Sequence, residues 1–229
     1  MIKFEQVSKQ FKNGTDALLD IHFEIQQAEM VFLSGHSGAG KSTLLKLMGL
    51  LAKPTSGRVL VAEQDLAKIP SGKIPYYRRR IGMIFQNPLL LSQYTVYENI
   101  LIPLIIAGFD KNDMAKRVRA ALDKVGLLKK EKRKAAELSC GESQRVAIAR
   151  AIVHKPILLL ADEPTGNLDP DLALDIMNLF ARFQQVGVTI CIASHDQNLI
   201  QKMPYRTLYL KQGKLIDSEL ANPTNFNAK

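Results

Sequence analysis

Apolar and polar positions change texture three times along the chain. Ile2, Phe4 and Val7, then Ile21, Phe23 and Ile25 alternating with His22 and Glu24, predict strands with one buried face, turned at Asn13-Gly14. Met30 to Leu33 is continuously apolar, and Leu44, Leu47, Met48 and Leu51 follow at spacings of three and four. That predicts a strand, a tight loop over Gly35 to Ser42 and a helix. After the Pro54-Thr55-Ser56-Gly57 turn, Arg58 to Ala62 is a further strand, and Ile81 to Phe85 a short apolar one ending at Gln86.

Beyond Gln86 the period becomes helical. Asn87 to Tyr94 reads as a leucine-rich loop, Thr95 to Ala107 as a helix broken near Pro103, and Asp110 to Val125 as a helix stopped by Gly126. Leu89, Leu90, Leu91 and Leu104 suit exposure to a partner as well as ordinary core. Ser139 and Glu142 form a capping box opening a helix that runs to about His154. Then strands return. Ile157 to Ala161 and Val188 to Ala193 are short apolar runs of buried parallel type, separated by a helix that starts at Asp169-Pro170 and carries Leu172, Ile176, Leu179 and Phe183 on one face. Thr207 to Leu210 and Lys214 to Ile216 predict a hairpin, and the tail from Asn222 a frayed end. The expectation is one α/β domain: strand-rich parts at 1–86 and 156–229 form the body, and a helical part at about 87–155 is inserted at Gln86, a natural hinge.

Composition narrows this only modestly. With 229 residues, 46% hydrophobic and 23% charged, the chain has ordinary globular values and room for a sizeable core. The net charge of +9 allows a polyanionic partner: nucleotide, nucleic acid or an acidic membrane surface. Arg78 to Arg80 and Lys129 to Lys134 hold much of the excess without interleaved aromatics, so they read as solvated faces or membrane-surface attraction rather than a nucleic-acid platform. No secretory signal is expected in MIKFEQVSKQF, and Ile100 to Phe109 falls well short of the ~20 residues that cross a bilayer. Cys140 and Cys191 match no metal-ligand spacing and suit a reducing setting.

The candidate chemistry starts at Gly35-His36-Ser37-Gly38-Ala39-Gly40-Lys41-Ser42, a P-loop pattern flanked by the right periodicity on both sides. Its glycines let backbone N–H groups turn inward at a helix N-terminus, Lys41 reaches β- and γ-phosphates, and Ser42, ahead of Thr43, ligates Mg²⁺. At the C-terminal end of the 157–161 strand, where α/β sheets take ligands, Asp162 is placed to hold Mg²⁺ through water and Glu163 to polarise an attacking water. His195 ends the next apolar strand at the same edge, within reach of a γ-phosphate. Ser139 and Gly141 begin a second helix able to hold an anion, although a well-capped helix start explains them too. Asp169 serves equally as a helix cap, and Phe11 as core or as an adenine-stacking ring.

Taken in order, Gly35 to Ser42, Gln86, Leu138 to Glu142 with Gln144-Arg145-Val146, Asp162-Glu163, Asn167-Leu168-Asp169 and His195 resemble the ATP-binding cassette family over essentially the whole chain. The resemblance implies a P-loop NTPase fold: a RecA-like core, an N-terminal antiparallel β subdomain and an inserted helical subdomain. It also implies ATP hydrolysis with Mg²⁺ held by Ser42, Gln86 and Asp162, with Glu163, His195, Gln86 and Lys41 catalytic. Phe11 stands where the family has a tyrosine. ATP would be sandwiched in a head-to-tail homodimer between the P-loop of one copy and Ser139, Cys140, Gly141 and Glu142 of the other, beside the loop containing Asp169. Cys140 replaces a family glycine, and Glu142 and Ser143 stand where glutamine is common; an intact backbone N–H at position 140 predicts that hydrolysis survives.

FLSGHSGAGKSTLLKL and LLLADEPTGNLDP are similar to the branch of the family that serves cell division. Its implied partners are an integral membrane protein, meeting the chain near Gln86 at the cytoplasmic face, and other division components. Lipoprotein-release and macrolide-type exporter ATPases share much of this pattern. Two readings from other classes, a nucleic-acid- or ribosome-associated cassette ATPase and a small-molecule P-loop kinase, leave respectively the single cassette without a long charged linker and the 138–142 stretch unexplained.

Overall fold

A computed structural model describes residues 1–166 and 168–219; the expectations for Asn167 and for the tail from Asn222 lie outside the described residues. In chain order the elements are β1 (Ile2–Gln10), β2 (Asp16–Ile25), β3 (Met30–Ser34), α1 (Lys41–Met48), β4 (Ser56–Val61), β5 (Gln64–Asp65), α2 (Ile74–Arg78), β6 (Ile81–Ile84), α3 (Val96–Ala107), α4 (Lys111–Lys124), α5 (Cys140–Ile152), β7 (Leu158–Asp162), α6 (Pro170–Gln185), β8 (Thr189–Ala193), α7 (Gln197–Gln201), β9 (Arg206–Lys211) and β10 (Lys214–Glu219).

Two sheets result. One is antiparallel with order β2-β1-β4-β5; the other has order β10-β9-β3-β8-β7-β6, parallel from β9 to β6 with β10 antiparallel at its edge. Parallel strands covered on both faces have no polar side to show, which is why β3, β7 and β8 read as unbroken apolar runs. Their side chains nevertheless alternate between two cores. Met30, Phe32, Leu159, Ala161, Ile190 and Ile192 pack with α3 to α6, whereas Val31, Leu33, Leu158, Leu160, Cys191 and Ala193 pack with α1 and the antiparallel sheet. Phe4 and Phe23, opposed across β1 and β2, stack at 4.5 Å in the second core.

The helices begin where their caps dictate. Thr95 with Glu98, and Ser139 with Glu142, close complete capping boxes on α3 and α5, while Asp110, Asp169 and Asp196 each accept a first-turn N–H of α4, α6 and α7. The expected break at Pro103 is absent: α3 runs unbroken to Ala107. An interior proline costs ~3 kcal/mol, but complete burial of Ile100 and Leu104 on the same helix returns ~1.5–3 kcal/mol each and outweighs it. Of the leucines open to two readings, Leu104 is core, Leu90 packs against it, and Leu89 and Leu91 are exposed. Strand β5 and helices α2 and α7, of two to five residues, were not expected from the sequence.

Candidate functional site

The C-terminal ends of β3, β6, β7 and β8 meet at one edge of the parallel sheet, above a cleft of about 740 Å³. Its walls include Gly35 to Thr43, Gln86, Asp162, Glu163 and His195, with Phe11 at the rim. Gly35 and His195, 160 positions apart, thus converge because four short strands end together, whereas Phe11 comes from the turn between β1 and β2 of the other sheet.

The loop from β3 to α1 has the conformation that its glycines permit. Gly35 has φ +145 and a Cβ there would lie 2.3 Å from the Leu210 carbonyl oxygen; Gly40 has φ +111, with Ala17 O at 2.8 Å. Gly40 caps α1 and has no side chain of its own to take a first-turn N–H. Lys41 is buried, its ammonium donating to the Gly35 carbonyl at 2.6 Å and the His36 carbonyl at 3.2 Å and lying 3.9 Å from Glu163 Oε1. Ser42 Oγ donates to Asp162 Oδ1 at 3.0 Å, joining the loop to the end of β7. A hydroxyl beside a carboxylate, both lining the cleft, suits Mg²⁺, which takes few protein ligands and keeps its waters.

Glu163 has φ +49, a left-handed backbone that costs a non-glycine residue ~1–3 kcal/mol. Its N–H donates to the Ala193 carbonyl at 2.9 Å, fixing it beside β8. Both carboxylate oxygens are engaged by His195: Oε1 lies 2.9 Å from Nδ1, and Oε2 accepts the His195 backbone N–H at 3.3 Å. An acid and an imidazole so joined hold each other in one orientation while the imidazole remains largely exposed.

Phe11, 43% exposed, lines the cleft, with Lys9 Nζ 5.9 Å from its ring centroid. Thr15, Asp16 and Ala17 line the cleft without having been singled out from the sequence; their only signal was the Asn-Gly turn. Gln197 also lines it, and its Nε2 donates to the fully buried Ser34 Oγ at 2.7 Å.

Ser139, Cys140, Gly141 and Glu142 do not line this cleft. They sit at the start of α5, with Ser139 Oγ accepting Glu142 N–H at 3.3 Å and Glu142 Oε2 accepting Ser139 N–H at 3.1 Å. Lys130 pairs closely with Glu142 and, with the Ser139 N–H second, holds its carboxyl below the usual carboxylate range. Cys140 is exposed at the first helical position. Gly141 lies against Leu172, in the turn that Asp169 caps by accepting Leu172 N–H at 3.0 Å, so this helix start and the Leu168-Asp169 stretch are neighbours within one chain.

Sequence reasoning also missed Arg150. From the far end of α5 its guanidinium donates to the Pro88 carbonyl at 2.6 Å and the Leu89 carbonyl at 2.9 Å, gripping the loop that follows Gln86. The fully buried Asn99 holds the same loop further on, accepting Leu91 N–H at 2.8 Å and donating to the Leu91 and Thr95 carbonyls at 3.1 and 3.0 Å.

The family profile described as ABC transporter matches residues 18–166, which include this loop, Gln86, the start of α5 and the Asp162-Glu163 pair. The chain belongs to the ATP-binding cassette family. It is accordingly an ATP-binding, ATP-hydrolysing enzyme. The cassette is 53% identical over 215 residues to the cell division ATP-binding protein FtsE of Escherichia coli K12, covering 94% of this chain and 97% of that one. It is 40% identical over 219 residues to FtsE of Bacillus subtilis, covering 96% of each. Among solved structures, the dimeric post-hydrolysis state of the cassette MJ0796 bound to ADP and phosphate superposes with a TM-score of 0.89 at 33% identity, covering 97% of this chain and 99% of that one. The structure of cbiO1 from Clostridium perfringens, part of the transporter complex cbiONQ, gives 0.88 at 32%, covering 96% and 88%. These cassettes support the expected α/β P-loop fold. Among the described residues no helix of the cassette is long and apolar enough to cross a membrane.

Proposed function

We propose that this cassette is the ATPase subunit of an FtsEX-type complex: two copies close on ATP, and their opening after hydrolysis changes the shape of an FtsX-like integral membrane protein, activating cell-wall hydrolysis during division. The observation that carries the enzymatic part is the convergence of Lys41, Ser42, Asp162, Glu163 and His195 in one cleft. Identity of 40–53% to FtsE over nearly the whole length supports the division role.

In this reading Phe11 stacks on adenine, and residues 35–43 wrap the phosphates with their backbone N–H groups. Lys41 leaves the Gly35 and His36 carbonyls for phosphate oxygens. Ser42 and Asp162, with Gln86, would hold Mg²⁺, which would supply neutralisation of phosphate charge when bound. Glu163 takes the proton of the attacking water, and His195, anchored to Glu163 through Nδ1, presents Nε2 to the γ-phosphate. Ser139, Cys140, Gly141 and Glu142 complete the site of the second copy, with Asp169 alongside. This accounts for a second phosphate-type helix start that lies outside the lining of the chain's own cleft.

Residues 87–155 act as the moving helical part between core segments 1–86 and 156–229. Arg150 ties the loop after Gln86 to the helix that begins at Ser139, and exposed Leu89, Leu91, Tyr94, Ile105 and Ile106 offer the membrane partner an apolar surface on the cytoplasmic side. Purification from solubilised membranes with mass spectrometry tests the partner: an FtsX-type protein should accompany the cassette. Ribosomal proteins or a multi-span exporter in its place would overturn the division role. A structure with a non-cleavable ATP analogue tests the sandwich, which fails if Ser139 and Gly141 lie far from the terminal phosphate in both copies.

A further inference from the structure

A second cavity lies at the opposite edge of the parallel sheet. Its volume is about 840 Å³, within the ~300–1,000 Å³ usual for small-molecule sites, and its floor is apolar, with Ile152, Val153, Phe183 and Val188. Five cationic side chains line it, Arg80, Lys116, Arg117, Lys124 and Lys155, against one acid, Asp113. Among the described residues none of the five is in an ion pair. Lys124 Nζ instead lies 5.8 Å from the centroid of Phe183 in the floor, and the Arg117 guanidinium 4.5 Å from that of Phe109. Concentrated charge of one sign over a low-dielectric floor favours a ligand of opposite charge with an apolar body.

Strands β6, β7 and β8 run from one cavity to the other. Arg80 precedes β6 and Gln86 follows it; Ile157 precedes β7 and Glu163 follows it; Val188 precedes β8 and His195 follows it. In each pair the first residue lines the cationic cavity and the second the ATP cleft, across strands of four or five residues, ~17 Å at most. The cationic cavity also spans the seam between α4 and the end of α6, two elements on different sides of the proposed hinge.

We propose that this cavity binds a small soluble anionic amphiphile, one acidic group on an aliphatic or aromatic body, and that its occupancy is coupled to nucleotide binding through β6, β7 and β8. The concavity argues for a small molecule: a flat bilayer or protein face would leave the apolar floor unfilled. The coupling rests on the ATP site proposed above; the binding does not.

The test uses the full chain and 8-anilinonaphthalene-1-sulfonate, with uncharged N-phenyl-1-naphthylamine as control. Fluorescence titration should give one saturable site for the sulfonate. Lys116→Glu combined with Lys124→Glu should raise its Kd about tenfold or more while leaving basal ATP hydrolysis and binding of the neutral probe unchanged. Ala120→Phe, which fills the cavity mouth without changing charge, should abolish binding of both probes. A saturating non-cleavable ATP analogue should shift the sulfonate Kd about fivefold or more, with a reciprocal shift in analogue affinity. Unchanged Kd in both variants, or association only with phosphatidylglycerol vesicles, overturns the site. Binding lost in the variants but indifferent to nucleotide overturns the coupling. Normal ATP hydrolysis without probe throughout would show that the ATP reading had not failed with either.

Discussion

Glu163→Gln separates two jobs that a carboxylate in this position could do. The amide is isosteric and keeps an acceptor for His195 Nδ1–H, but its nitrogen cannot accept the His195 backbone N–H held at 3.3 Å, a loss of about 1 kcal/mol in folding stability. The larger effects are electrostatic. Glu163 Oε1 lies 3.9 Å from the buried Lys41 ammonium, and two unit charges at that distance attract by about 4 kcal/mol at an effective dielectric constant of about 20. That attraction competes with phosphate for Lys41, and a carboxylate also repels the incoming anion. If one third of it, about 1.4 kcal/mol, is returned to the nucleotide, ATP binds about tenfold tighter. A lost general base costs about 10²–10⁴ in rate, or about 3–5.5 kcal/mol of barrier. Phosphate release at saturating ATP should therefore fall by at least a hundredfold while a fluorescent-ATP titration gives a lower Kd, and light scattering should show the dimer persisting with ATP. Turnover within threefold of the parent would refute Glu163 as the base. A Kd that rose in step with the lost rate would mean that Glu163 holds nucleotide rather than water.

Lys41→Ala removes the only buried ammonium in the cleft among the described residues and should raise the ATP Kd by about a hundredfold, read in the same titration. In native protein a thiol reagent should titrate one cysteine, the exposed Cys140, because Cys191 is fully buried and burial pushes its thiol well up; denaturation should release the second, and stoichiometric modification of Cys140 should lower ATP hydrolysis. The Glu142 carboxyl, held below its ordinary 4.5 by Lys130 and the Ser139 N–H, contributes stability that is present above that value and lost as pH falls below it; the gap in urea midpoint between parent and Glu142→Gln should close in that direction. Arg150→Ala deletes two hydrogen bonds from a charged donor and should cost about 2 kcal/mol of stability and lower kcat more than it changes KM for ATP, with Arg150→Lys recovering part of both.

The elements with a long period or a strong cap were legible from residues alone: the alternation of β2, the unbroken runs of β3, β7 and β8, and the capping box of α5 are local signals. So was the candidate chemistry that sits at strand ends, because a polar residue ending an apolar run announces itself. What escaped is either too short to show a period, as with α7 and its Gln197, or is made between distant positions. Arg150 and Pro88 are 62 residues apart, and nothing near Arg150 marks it as the residue that grips the loop after Gln86. Asn99 is similar: inside an apolar helix it reads as a blemish, and only its bonds to Leu91 and Thr95 reveal a tie. Pro103 misled in the opposite direction, since the burial that carries α3 through it is tertiary.

Strand β7 serves as a party wall. Leu159 and Ala161 belong to the helices on one side, Leu158 and Leu160 to α1 and the curled sheet on the other, and no side chain of these four is shared. A substitution that repacks one face therefore leaves the side-chain contacts of the other intact, whereas a shift of the strand backbone itself reaches both faces at once and the Asp162-Glu163 pair at its end.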